Sequence, residues 1–314
     1  MNLRNIILQG HLLDVAPQLQ DESIQSIITS PPYWGTRDYG VEPVSWVNGE
    51  LDSLGREVNP RLYARHITEC FCFLWNKLRN DGTLWLVLGN TYCGTGYKGE
   101  HLDKKSPIGR NVGRGNIDVV NYHIEGMKQK DLVGIPWMVA FALRDAGWYL
   151  RAEIIWHKTN PMTEGDVRDR PIQSHEQIFL LSKNKHYYFN ADAIREPCVT
   201  KPDGRRFGAT GNRDRHDQGR RYTEQNPKGK LRRDVWTIPT HPLPRPYRGK
   251  HFAAFPEALV ELCILAGSRK GDVVLDPFVG SGTTPVVAKR LGRDYVGIDL
   301  NPAYVKMSQE RVGP

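Results

Sequence analysis

The sequence predicts a doubly wound α/β fold, and three features carry that expectation. Short β-branched runs alternate with stretches of helical periodicity along most of the chain. One such run, Val273-Val274-Leu275-Asp276, passes into a helical pattern through a glycine turn, Gly280-Ser281-Gly282. The next run ends on an acid, Asp299, nineteen residues beyond Gly280. From that position nucleotide-binding α/β folds reach ribose hydroxyls.

Taken in order, Asn5 to Leu8 reads as a short strand and Ala16 to Leu19 as part of a helix. Ile24 to Thr29 is a β-branched second strand. Residues 61–79 place Leu62, His66, Cys70, Phe73 and Leu74 on one helical face, and Asn80-Asp81-Gly82 is the expected stop. Thr83 to Leu88 is a buried strand, and residues 94–126, rich in Gly, Lys and Asn, read as a long loop. A helix follows over Pro136 to Ala146, then strands at Tyr149 to Trp156 and Gln177 to Leu181, with Tyr187 to Asn190 expected beside the latter. Residues 200–234 hold almost no aliphatic side chains and cannot build a core of their own. A helical pattern resumes through Phe255, Leu259, Leu262, Cys263 and Ala266. Strands at Asp272 to Leu275 and Tyr295 to Ile298 then flank a helix reaching Leu291, and a last helix closes the chain.

At 314 residues, 39% hydrophobic and 25% charged, the composition is that of a globular protein with one large domain or two small ones. No apolar run approaches the roughly 18 residues of a membrane span, and MNLRNIILQGHLLD lacks the apolar core of a secretion signal. Five scattered cysteines form no disulfide framework, which points to a reducing, cytoplasmic setting. Cys70 and Cys72 point apart on a helix, so no metal site is expected there. The net charge of +8 is localised: residues 197–250 hold 14 Lys and Arg against 5 Asp and Glu. Such a stripe is the footprint of a polyanionic partner.

Residues 27–35 read IITSPPYWG. Two prolines after a strand fix φ and remove two backbone donors, so the chain leaves the sheet as a stiff arm with carbonyls that lack ladder partners. Unpaired carbonyls and the Ser30 hydroxyl beside Tyr33 suit a flat ligand bearing an amine. At the other motif, Asp276 at a strand end would repel a pyrophosphate but suits a cationic amino group. S-adenosylmethionine has an adenosine and an amine and no phosphate. The stretch CGTGYKG matches a phosphate-loop spacing at Gly94, Gly96 and Gly99 but leads into no helix, and Pro197-Cys198 stands away from any strand-to-loop turn.

TSPPYW and DPFVGSGTT resemble the two signature motifs of the amino-DNA methyltransferases, S-adenosylmethionine-dependent enzymes that methylate the exocyclic amine of cytosine or adenine. The order here, with the catalytic motif first, a basic segment next and the cofactor motif last, resembles the β group of that family. The resemblance implies a Rossmann-like methyltransferase sheet with circularly permuted motifs. Residues 1–196 would be its catalytic half, 197–245 a target-recognition insert that binds double-stranded DNA, and 246–314 its cofactor half. It implies Ser30, Pro31, Pro32 and Tyr33 as catalytic residues. Phe255, Pro256, Asp276, Pro277, Phe278, Gly280, Ser281, Gly282, Thr283 and Asp299 would hold S-adenosylmethionine. Trp156, Lys158, Asn160 and Pro161 would line the base pocket, and Trp34 would either stack on the base beside Tyr33 or belong to the core. Arg205, Arg206, Arg220, Arg221, Arg232 and Arg233 of the basic segment could clamp phosphates or pair with guanine edges. One departure stands out: where related chains have Gly-Asp after the first strand, this one has Gly10-His11, leaving His11, Asp14 or neither to meet the cofactor adenine. The serine that opens the catalytic motif favours N4-methylcytosine as product, with the adenine amine as the alternative and an inactive DNA-binding relative as a lesser one. A cognate restriction endonuclease is a further candidate partner, and the chain would act as a monomer or homodimer.

Overall fold

The computed structural model describes residues 3–35, 41–93, 124, 126–161, 167–198, 228–242, 244–247 and 255–313. In chain order its elements are β1 (Ile6–Gln9), α1 (Leu12–Val15), β2 (Ile24–Thr29), β3 (Val44–Ser45), β4 (Leu51–Asp52), α2 (Pro60–Leu74), β5 (Leu78–Leu88), α3 (Ile135–Asp145), β6 (Tyr149–His157), β7 (His175–Ser182), β8 (Val235–Thr237), α4 (Glu257–Gly267), β9 (Val273–Asp276), α5 (Thr283–Arg290), β10 (Asp294–Asp299) and α6 (Pro302–Val312). Eight strands form one mixed sheet in the order β1-β10-β9-β2-β5-β7-β6-β8. The run from β1 to β5 is parallel, and β7 is antiparallel to both neighbours. Apolar cores lie on both faces, one around α2 and α3 and the other around α4 and α5.

The permuted order expected from the motifs is present. β9, β10 and β1 follow one another across the sheet, with β2 on the other side of β9, so the two signature loops leave neighbouring strands. The chain ends meet as this requires: Asn5 N–H donates to Tyr295 O at 2.7 Å, and Arg4 pairs with Asp294 at 2.7 Å. Asn59 caps α2 by accepting from Leu62 N–H at 2.9 Å, and Pro60 takes the first helical position, where no donor is needed.

Several local expectations differ. α2 ends at Leu74, and its buried stripe runs through Tyr63, Ile67, Cys70, Phe71 and Leu74, leaving Phe73 exposed. Asn80-Asp81-Gly82 does not stop a helix but lies inside β5. Ile24 pairs with Leu78 and Ser26 with Thr83, so the extra residues form a bulge, and turn-forming residues suit a bulge as well as a stop. Tyr187 to Asn190 does not pair with β7; Tyr188 N–H bonds Asp81 O and Asn190 N–H bonds Ala266 O, both at 2.8 Å. The stretch 197–245 is not wholly an insert, because β8 joins the sheet edge beside β6. Glu196 and Lys230 exchange backbone hydrogen bonds. The loop expected over 94–126 lies almost entirely outside the described residues. Among the described residues no helix is long and apolar enough to cross a membrane.

Candidate active site

One cavity of about 760 Å³ runs along the carboxyl ends of β1, β10, β9, β2, β5 and β6 and the amino end of the antiparallel β7. Open α/β sheets bind ligands there, because strand ends and helix starts leave backbone groups free to meet them.

On the β9 side the glycine turn is organised by two carboxylates. Asp276 is buried; its Oδ1 accepts from the Thr29 hydroxyl at 2.6 Å and from Phe278 N–H at 3.2 Å, and its Oδ2 accepts from the Thr284 hydroxyl at 2.7 Å. Asp276 therefore ties β2 to β9 directly beneath the two loops. Burial pushes its carboxyl up to about 6 against the pull of those three donors. Asp299 accepts from Gly280 N–H at 2.8 Å and Asn301 N–H at 2.9 Å, and burial pushes it up to about 6 as well. Gly282 caps α5 at φ 81°, a left-handed conformation that glycine adopts without strain. Arg311, from the last helix, lies beneath the turn with its Nη1 donating to Ser281 O at 2.5 Å, and Glu257 stands 3.7 Å from its other amine.

Of the expected cofactor residues, Phe255, Asp276, Pro277, Phe278, Gly280, Ser281, Thr283 and Asp299 line the cavity. Pro256 and Gly282 do not; they cap α4 and α5 and set the directions of those helices. His11 lines the cavity and Asp14 does not. Gly10 N–H bonds Asp299 O at 3.0 Å, which sets the end of β1 beside the end of β10. Burial lowers the pKa of His11, so the ring is held toward its neutral form.

On the β2 side, Ser30, Pro31, Pro32 and Tyr33 all line the cavity. No described residue bonds the Ser30 hydroxyl or the Pro31 carbonyl, whereas Pro32 O accepts from the Tyr63 hydroxyl at 2.8 Å. The Tyr33 ring packs over Gly89, where a Cβ would stand 2.6 Å from Cε2, so glycine is required for the ring to lie there. The Tyr33 hydroxyl donates to Glu176 Oε2 at 2.8 Å. Lys158 bonds the other oxygen of that carboxylate, with its ammonium 4.6 Å from the centre of the Trp156 ring.

Trp34 turns away from the cavity. It is 2% exposed and donates its Nε1–H to Glu57 O at 2.9 Å, so it belongs to the core rather than to a base-binding face. Trp156, Lys158, Asn160 and Pro161 do line the cavity, and Asn160 is fixed by exchange of hydrogen bonds with Thr240 at 3.0 and 2.8 Å. Arg232 is engaged with Ile194 O at 2.7 Å, while Arg233 is exposed beside Glu196. Arg205, Arg206, Arg220 and Arg221 lie outside the described residues. Sequence reasoning missed Glu176 and Arg311. The first has a faint signal, an acid leading into the apolar run QIFLL, whereas Arg311 has none.

A glycine turn braced by carboxylates shares one cavity with a proline-stiffened loop at the strand ends, the arrangement of an α/β methyltransferase. A family model described as a DNA methylase, of the N6/N4 type, matches residues 24–310, and the chain belongs to that family of DNA methyltransferases. It is 42% identical to the type II methyltransferase M.SmaI of Serratia marcescens, over 99% of this chain and 92% of that one. It is 39% identical to M.Cfr9I of Citrobacter freundii, over 98% and 87%. Among solved structures, the cytosine-N4-specific PvuII DNA methyltransferase is similar in fold, with a TM-score of 0.63 and 16% identity over 98% of this chain and 86% of that one. M1.HpyAVI in complex with SAM is likewise similar, with a TM-score of 0.52 and 18% identity over 98% of both chains.

Proposed function

We propose that the protein transfers a methyl group from S-adenosylmethionine to the 4-amino group of cytosine in double-stranded DNA. The observation that carries this reading is the pair of acceptors, Ser30 Oγ and Pro31 O, with no bond from any described residue, in the same cavity as the Asp276 turn. The exocyclic amine of a base is a poor nucleophile because its lone pair is delocalised into the ring. Two acceptors aimed at its hydrogens favour a pyramidal nitrogen and free that lone pair. Tyr33 offers the face on which a base taken out of the helix can stack. No strong general base is needed, because the nitrogen sheds its proton after becoming cationic.

The donor set fits the cofactor. Asp276 suits its amino group, Asp299 its ribose hydroxyls and Phe255 its apolar flank, and a phosphate-bearing ligand would be repelled by Asp276. Bound there, S-adenosylmethionine supplies an electrophilic methyl group on its sulfonium. The chain's own residues hold it, orient the amine and exclude competing water.

Cytosine is favoured over adenine because Ser30 opens the motif with a short neutral hydroxyl. The basic residues of 197–250 would carry DNA affinity, and a partner endonuclease fits the type II character of the relatives. The test is mass spectrometry of nucleosides from DNA treated with the protein and labelled cofactor. Label in N4-methylcytosine is expected, and label in 6-methyladenine alone would overturn the choice of base while leaving the reaction type standing.

A further inference from the structure

Glu57 carries a fully buried carboxylate that takes no part in the chemistry above. Taking a carboxylate out of water is expensive unless partners offset the loss, and an apolar side chain would fill the same space at lower cost. The partners of Glu57 all lead to the catalytic loop or away from it toward the far end of the cavity.

Its Oε2 accepts from Gly55 N–H at 2.9 Å, and its backbone carbonyl accepts from Trp34 Nε1–H at 2.9 Å. Gly55 O accepts from Gly35 N–H at 2.9 Å. Gly55 sits at φ 91°, and a Cβ there would meet Tyr33 O at 3.1 Å and Pro32 Cβ at 3.3 Å. The segment around Glu57 thus clamps residues 32–35 from behind. In the other direction, Glu57 Oε1 lies 3.1 Å from His66 Nδ1, in a pair that is fully buried on both sides. No described residue bonds His66 Nε2, so the Nδ1 contact with Glu57 is the hydrogen bond that the ring makes among the described residues. The His66 ring stacks on Trp46 at 3.9 Å and 4° between planes, and Trp46 meets the cavity-lining His11 edge-on at 5.2 Å. A continuous set of packed contacts therefore joins the acceptor loop to the end of β1.

We propose that Glu57, paired with His66, is a positioning residue for methyl transfer: it holds the backbone of residues 32–35 so that Ser30 and Pro31 stay aimed at the target amine, and through Trp46 it fixes His11 at the opposite end of the cavity. This rests on the reading of Ser30 and Pro31 as the acceptors. A one-ångström drift of that loop would leave the cofactor held and the amine misaligned, so the effect falls on the chemical step.

The experiment is single-turnover methyl transfer from labelled S-adenosylmethionine to unmodified genomic DNA, with the same cofactor's affinity and stoichiometry measured by calorimetry on each variant. Glu57→Gln and His66→Asn should each lower the rate constant about tenfold or more per cofactor-binding site, with affinity within about threefold of the parent. The double variant should be no slower than the worse single one, because both changes break one linkage. A purely structural role would reduce the number of active sites and leave the rate constant of those remaining unchanged; that outcome, or effects that multiply in the double variant, overturns the proposal. If Glu57→Gln does not bind cofactor, His66→Asn decides alone by the same rate criterion. Failure of the acceptor reading itself shows separately, as Ser30→Ala transferring methyl groups at the parental rate.

Discussion

Two loops leave neighbouring strands and face each other across the cavity, and they reach their shapes by opposite means. The loop after β2 is stiff by covalent structure: Pro31 and Pro32 fix φ and remove donors, which leaves Ser30 Oγ and Pro31 O free of described partners. The turn after β9 is soft by composition, with Gly280 and Gly282, and takes its form from the hydrogen bonds of Asp276, Asp299 and Arg311. On the proposed reading the first loop presents bare acceptors, and it cannot use those acceptors to hold itself together. A turn that must close around a ligand can be shaped by groups beneath it. Substitutions in the first should therefore cost chemistry, and substitutions beneath the second should cost binding.

The largest expected effect follows from the first half of that contrast. Ser30→Ala removes one acceptor made available only at the reacting nitrogen, and the rate constant of methyl transfer should fall about 10²-fold. Cofactor affinity should stay within about twofold. Calorimetry and single-turnover kinetics on the same preparation separate the two, and an equal loss in both would erase the distinction between the loops.

Beneath the other loop, Asp276→Ala unties Thr29, Thr284 and Phe278 at once. S-adenosylmethionine affinity should fall by more than about tenfold, or about 1.4 kcal/mol. Transfer at saturating cofactor should fall too, because Thr29 immediately precedes Ser30. Asp299→Ala frees the turn and the start of α6 but leaves Thr29 tied, so it should weaken binding by a similar factor and spare the saturated rate. If Asp299→Ala lowered the saturated rate as far as Asp276→Ala, the Thr29 bond would not be what links the two loops.

Arg311 sharpens the comparison at smaller scale. Arg311→Met keeps the apolar stem and removes the donors to Ser281, so cofactor affinity should drop about fivefold, or about 1 kcal/mol, with the catalytic rate unchanged; that is less than the roughly 1.5–3 kcal/mol of a charged hydrogen bond because the packing is kept. Titration calorimetry of the full chain reads this directly.

How much of this was legible in the sequence divides along the same line. Both loops announce themselves locally, through proline pairs and glycine spacing, and the strand order follows once the motifs are placed. Asn80-Asp81-Gly82 misleads because the same residues serve a turn, a helix end or a bulge, and only the pairing of Ser26 with Thr83 decides which. Trp34 stays open for a related reason: an aromatic beside Tyr33 can face either way, and Glu57 O, twenty-three residues on, sets its direction. Glu176 and Arg311 are brought to the site by β7 and α6, so only a faint local pattern marks the first and none marks the second. Local signals reveal the groups that meet the ligand, whereas the groups that hold those groups come from distant elements.

The smallest expected effect is a pH dependence confined to the turn after β9. In the free protein the carboxyls of Asp276 and Asp299 lie at about 6, raised by burial. Groups raised in this way bind protons more tightly folded than unfolded, so their contribution favours the folded state at low pH and is lost as the pH rises through about 6. Bound S-adenosylmethionine reverses the preference at both, because a cationic amine at Asp276 and hydroxyls donating to Asp299 each favour the ionised carboxylate. S-adenosylmethionine affinity should therefore rise between pH 5 and about 6.5, and fall again where an α-amino group deprotonates, about pH 8. Asp299→Asn should remove only one of the two protons linked to the rising limb, so its slope below pH 6 should be shallower than the parent's. Ser30→Ala should leave the whole profile unmoved, since its loop holds no carboxylate. Calorimetry across pH 5–8 measures all three. A flat profile in the parent would mean that neither carboxylate gains charge on binding, and the electrostatic role assigned to the turn would then fall while the rigid acceptor loop opposite it stood.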